Sequence, residues 1–202
     1  MRTFSPLPDW IKLEHQVQQI LTEQETHGWC FNEGAARQLE SSLRREYEDT
    51  CKVLRNRHPY IKGTEFTPKR TNRGKGYVEG CTFTKLKDLN PTSRDHISWI
   101  LQTHYGWTPL LLTNSGKAVV NETVLKDIGT DIALQFLKLL DLTKQLGMIS
   151  EGVNAWQKLV TTSSRIHHHC SVATSTFRCA HRKPNLSQVP ANENFRKLFT
   201  AS

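Results

Sequence analysis

Apolar residues recur at intervals of three and four between Trp10 and His27, at Leu13, Val17, Ile20 and Leu21, and so share one face of a helix that Gly28 ends. Asn32, with acidic Glu33 in the first turn, announces a second helix carrying Leu39, Leu43, Tyr47 and Leu54 as far as His58-Pro59, because the residue before a proline resists the helical conformation. The short link between the two predicts an antiparallel pair, each covering the other's apolar stripe. From Pro59 to Leu89 the periodicity breaks at glycines 63, 74, 76 and 80 and prolines 59 and 68. This interval reads as a mobile, cationic, irregular loop in which Tyr77, Val78, Cys81, Thr82, Phe83 and Thr84 can pair as a short hairpin. A third helix opens in the stretch Leu89 to Ile97 and runs through Trp99, Ile100 and Leu101, with Asn90 or Thr92 as its cap. Asp131 to Leu146 is amphipathic, with Ile132, Phe136, Leu139, Leu140 and Leu146 on one side and Gly147 as its stop. Ser150 then caps a further helix that turns Trp156, Leu159 and Val160 inward, and Arg165-Ile166-His167 alternates as a strand would. The pattern predicts a mainly α chain with a short β segment near its C-terminus.

Length allows one domain with a real core, or a domain plus a segment of something larger, in 202 residues. No apolar run approaches the roughly 20 residues of a membrane span, and neither a signal peptide nor an anchor is visible, so a cytoplasmic location without membrane contact is expected. Five cysteines, Cys30, Cys51, Cys81, Cys170 and Cys179, are odd in number and scattered, which predicts reduced thiols.

Charge changes the picture most. The net charge is +8, and between Lys52 and Asp88 ten Lys or Arg stand against three acidic residues, between Arg165 and Leu198 six against one. The rest of the chain is net acidic. Basicity gathered in two blocks is what a footprint on phosphates predicts; the plainer alternative is a solvated charged surface. Lys69, Arg70, Arg73 and Lys75 concentrate the first block. Ser93 and Arg94 fall in the first turn of a helix, where free amides and the dipole favour an anion; a well-capped helix without a ligand reads the same way. His167, His168, His169, Cys170, Cys179 and His181 are zinc-ligand types, but adjacent strand residues face opposite ways and no paired ligand spacing occurs.

The segment from Arg165 to Phe199 carries Thr176 and Arg178, His181, and Pro184-Asn185-Leu186 followed by Gln188-Val189-Pro190. These resemble the T-G-R…H…P-N-L-x-Q-I-P segment of family A DNA polymerases, particularly those of short-tailed, T-seven-like bacteriophages. Further matches run in order: Glu14, His15, Gln24, Glu25, Gly28 and Phe31; Asn90 to Ile97; Gly106, Trp107 and Pro109; Thr113, Gly116, Val124 and Leu125; Gly152, Ala155 and Trp156. The resemblance spans Glu14 to Phe199. It implies an antiparallel helical thumb over 1–161, with a basic tip insertion at about 59–89, and the start of the palm over 162–202.

The implied partner is double-stranded primer-template DNA. Arg178 takes the place of the family's minor-groove arginine, and Asn185 and Gln188 fit the same task, because the N3 and O2 acceptors are common to all base pairs. Arg165 and His181 join Ser93, Arg94 and the four tip cations as expected phosphate contacts. One departure is Phe177, which stands where the family has glycine. The sequence ends at Ser202, before the family's catalytic carboxylate motif, and contains neither fingers nor exonuclease. Catalytic residues are therefore expected to be none, Mg²⁺ is expected only in the complete polymerase, and a palm-and-fingers polypeptide is an expected partner. In the resembled enzymes the tip insertion recruits a thioredoxin-fold processivity factor; here the interval is shorter and has its own sequence, and a direct grip on DNA is enough to explain its composition. Three readings stay open: part of a split or truncated phage-type polymerase, a stand-alone non-catalytic DNA-binding module, and a small zinc-binding helical protein.

Overall fold

A computed structural model describes residues 7–172, 174 and 178–200. Thr176 and Phe177, singled out above, lie outside the described residues. Two compact units divide the chain: one of Met1–Leu43 with Gln145–Ser202, the other of Arg44–Lys144. Helix dominates, accompanied by small antiparallel sheets.

The contiguous unit begins within α2 (Glu33–Arg57), passes through the strands β2 (Tyr60–Phe66) and β3 (Phe83–Asp88), and continues with α3 (Arg94–Tyr105), α4 (Glu122–Ile128) and α5 (Asp131–Leu146). Its core joins Cys51 and Leu54 of α2, Ile61 of β2, Ile97, Ile100 and Leu101 of α3, Leu125 of α4, and Ile132, Phe136 and Leu139 of α5. The apolar periodicity of α5 therefore marks core, as expected. Ion pairs Arg57–Asp131 (2.7 Å) and Lys138–Glu46 (2.5 Å) tie the two long helices at their exposed margins.

The interval after Pro59 differs from the expected irregular loop. β2 and β3 form an antiparallel hairpin from Tyr60↔Asp88 to Phe66↔Phe83, so the strands lie largely outside the residues 77–84 where pairing was anticipated. Only the tip, 67–82, is irregular. The register shifts between Lys62 and Glu65, and Gly63 sits in that shift because a Cβ there would come within 2.5 Å of the Lys85 carbonyl oxygen.

The other unit is assembled from distant segments. Strand β1 (Trp29–Phe31) is the centre of a three-stranded sheet, paired antiparallel with β4 (Arg165–Ile166) on one side and β7 (Phe199–Thr200) on the other. Phe31, Trp156 and Phe199 pack together, with centroid separations of 5.2–6.4 Å, and Phe195 of the short helix α7 (Glu193–Arg196) meets Trp156 edge-on. A second hairpin joins β5 (His169–Ser171) to β6 (Ala180–Arg182).

Helix α1 (Asp9–His27) ends at Gly28 as expected, but part of its apolar stripe stays open: Leu13 and Ile20 are 60% and 55% exposed, while Leu21 is buried. The link that was to fold the helices together is spent instead on β1, whose partners come from the C-terminal part of the chain. Two caps also differ. Ser93, not Asn90 or Thr92, occupies the N-cap of α3, because Asn90 Oδ1 is taken by Thr92 in a preceding turn. Ser150 lies within a π turn, Gly147–Glu151, that prolongs α5, and α6 (Trp156–Leu159) starts from Ala155.

Candidate nucleic-acid interface

At the hairpin tip, Lys69, Arg70, Arg73 and Lys75 are all exposed. What holds them is local. Asn72 caps a 3₁₀ turn at Arg73–Lys75 through its side chain and bridges Tyr77, while Phe66, Tyr77 and Phe83 form an aromatic knot with separations of 4.9–6.0 Å. Lys85 adds its ammonium 5.1 Å above the Phe66 ring. The cations thus project from a braced turn. Within the same unit, Ser93 and Arg94 open α3 near the hairpin's base, roughly 20 Å from the tip at the usual rise per strand residue. The Ser93 side chain makes no capping bond and Arg94 is exposed. An acidic neighbour, Asp95, is paired with Lys117 at 2.5 Å.

In the other unit, the segment from Arg165 to Gln188 gathers the remaining expected residues. Thr174 clamps the backbone of Arg178 from both sides, accepting its N–H at 3.0 Å and donating to its carbonyl oxygen at 2.8 Å, while the guanidinium side chain is exposed. Asn185 Oδ1 accepts from the Ser187 N–H (3.2 Å) and hydroxyl (2.6 Å). With its acceptor spent inside the turn, the Asn185 amide has only its N–H donors to offer outward. Gln188, also exposed, closes the 3₁₀ turn Leu186–Gln188 that follows a cis Lys183–Pro184 bond.

Arg165 and His181 face inward. The Arg165 guanidinium donates at 3.2 Å to the carbonyls of both His27 and Gly28, capping the negative end of α1. The His181 ring stacks on buried His168 at 5.3 Å and lies 3.9 Å from the Cys170 sulfur. Desolvation, assisted by His181, holds the His168 imidazole below its ordinary pKa, and burial beside Cys179 pushes the Cys170 thiol up to about 11. Between the end of β4 and the start of β5 the histidines turn to different sides: His167 and His169 are exposed and engage Glu25, while His168 is buried. Among the described residues no group of three or more His, Cys, Asp or Glu is arranged to hold a metal ion. None of their helices is long and apolar enough to cross a membrane.

A residue that sequence reasoning placed only in a matching pattern turns out to be central. Glu25 Oε1 accepts from the Cys170 N–H at 2.6 Å and pairs with His169 Nδ1 at 2.9 Å. The Cys170 backbone bond, then His169, holds its carboxyl below the ordinary range against the opposing effect of burial. No local signal in α1 marks it, since its partners are far along the chain.

No protein-family model matches the chain. It is 28% identical, over an alignment of 229 residues, to the DNA-directed DNA polymerase of Escherichia phage T7, covering 89% of this chain and 32% of the relative. The DNA-directed DNA polymerase of Enterobacteria phage T3 gives the same identity and coverage. Among solved structures, the POL domain of Pol1 from M. smegmatis, in complex with DNA primer-template and dNTP, matches with a TM-score of 0.66 at 18% identity, over 92% of this chain and 29% of that one. The chain spans about a third of the length of the curated relatives it matches. It is homologous to the DNA-directed DNA polymerases of phages T7 and T3, and its fold is that of part of a polymerase domain.

Proposed function

We propose that this chain forms the thumb, 1–161, and the palm entry, 162–202, of a phage-type DNA polymerase, and grips primer-template duplex during replication in the host cytoplasm. The observation that carries the reading is the set of exposed donors in and after the β5–β6 hairpin: Arg178 on a clamped backbone just before β6, then Asn185 with its acceptor already engaged, and Gln188 three residues on. Donors suit the minor groove, where every base pair presents N3 or O2 acceptors, and a polymerase must hold any sequence. Lys69, Arg70, Arg73, Lys75, Ser93 and Arg94 serve the phosphates. Arg165 and His181 support the contacts from behind through the packing described above.

Nucleotidyl transfer in such an enzyme draws on Mg²⁺ held by acidic residues, which we assign to a palm-and-fingers portion beyond the third of the relatives that this chain matches. The test is primer-template extension by the polymerase assembled with Arg178→Ala or Gln188→Ala. Extension is expected to fall about tenfold or more with each, since a well-placed contact to a base edge is worth about 1–3 kcal/mol. Unchanged extension with both variants would remove the minor-groove assignment.

A further inference from the structure

The β5–β6 hairpin has few means of its own to stay in place. Each strand has three residues, and the pairing runs only from His169↔Arg182 to Ser171↔Ala180. Two-stranded ribbons of this size do not hold alone in water. Its anchorage comes from the last turn of α1. There the Glu25 carboxylate accepts the Cys170 N–H at 2.6 Å and pairs with His169 Nδ1 at 2.9 Å, while the Glu25 backbone carbonyl meets His167 Nδ1 at 2.8 Å. A carboxylate receiving a main-chain N–H at that distance is among the stronger protein hydrogen bonds. Cys170 lies opposite His181 in the ladder, and Arg178 stands two residues before β6 begins.

We infer that Glu25 is the positioning residue of the minor-groove contact: from α1 it fixes the strand that sets where Arg178 is presented to duplex DNA. The inference rests on the proposed DNA-gripping role and names a residue that itself touches no DNA. Glutamine at this place keeps an oxygen for the Cys170 N–H and loses the charge facing His169; alanine loses both. Their order is therefore a prediction about mechanism.

The test measures the affinity of the full chain for a blunt DNA duplex, by fluorescence anisotropy, for wild type, Glu25→Ala, Glu25→Gln, Arg178→Ala and the Glu25→Ala/Arg178→Ala pair. Glu25→Ala is expected to weaken binding about tenfold, the scale of one charge-assisted hydrogen bond, and Glu25→Gln to recover part of that. In the Arg178→Ala background, Glu25→Ala should cost much less than it does alone, because residues that act through one another are non-additive. The slope of affinity against salt should not change with Glu25→Ala, since no phosphate contact is lost. Full additivity, or a Glu25→Ala loss that glutamine does not relieve, would overturn the positioning role while leaving the DNA-gripping reading intact. If Arg178→Ala binds like wild type, the minor-groove role of Arg178 fails, and the inference with it, whereas duplex binding that none of the cation variants weakens would be the failure of the DNA-gripping reading itself. Should Glu25→Ala fail to fold, the glutamine variant and its pair with Arg178→Ala supply the same comparison.

Discussion

Neutralising the hairpin tip separates a phosphate grip from an idle charged surface. Lys69, Arg70, Arg73 and Lys75 are exposed, and the Asn72 cap and the Phe66–Tyr77–Phe83 knot beneath them do not use their side chains. Changing all four to glutamine should leave the hairpin standing. If each cation contacts one phosphate, each removes about 0.9 from the slope of log affinity against log salt, about 3.6 for the four. Over a fourfold rise in salt, from about 50 to about 200 mM, that difference amounts to roughly 150-fold in relative affinity. The assay is duplex binding by anisotropy across that range, with circular dichroism to check folding. Lys138→Gln serves as a control, since its ammonium is paired with Glu46. A quadruple variant whose slope stays within about 0.9 of wild type would show that the tip lies off the DNA and that its charge serves solubility alone.

Three further outcomes are expected. Gly28→Ala should destabilise the unit built around β1 by about 2 kcal/mol or more in urea unfolding: Gly28 holds φ 68°, and a Cβ would meet His167 Nδ1 at 2.9 Å and the Ile166 carbonyl at 3.0 Å. A near-neutral result would mean that the α1–β4 junction is loose. Phe195→Ala, which empties a fully buried site against Trp156, should cost about 3–5 kcal/mol by thermal unfolding. Acid should act in two stages. Burial holds His58, His96 and His168 below their ordinary value of 6.5, and the Cys170 backbone bond holds Glu25 below 4.5. A depressed group stabilises the fold above its unfolded pKa and loses that contribution as pH falls through the folded value. Stability should therefore decline below about pH 6.5 and again below about pH 4.5. Urea midpoints for Glu25→Gln should lack part of the second stage only; an unaltered acid profile would contradict the Glu25 assignment.

Helices were legible wherever a long apolar repeat met a clear stop. Gly28 ends α1, and Asn32 caps α2 through a 2.9 Å bond to the Ala35 N–H. The β2–β3 hairpin was not legible, because Lys62, Thr64 and Glu65 alternate with no strong apolar residues and Gly63 interrupts the period at the bulge. β1 is three residues long and carries no pattern of its own; only its distant partners make it a strand. The α1 stripe misled for the same reason, since periodicity reports that a face is apolar and not which element meets it. At the candidate interface the exposed donors could be read from the family resemblance. The inward turn of Arg165 and His181 could not, because a basic side chain suits a helix C-terminus as well as a phosphate. Glu25 was invisible as an anchor because its bonds span the chain.

The pairing of β1 with residues 165–166 on one edge and 199–200 on the other sets an order of events during synthesis. Residues 44–144 can complete their core as soon as they leave the ribosome, while Trp29 to Phe31 must wait with both edges bare. At about 5–20 residues per second, the delay before β4 emerges is roughly seven to thirty seconds. For the last twenty or so residues of that delay, about one to four seconds at the same rate, the nascent chain holds one finished body and a vacant strand, the state in which a chaperone would find most to shelter.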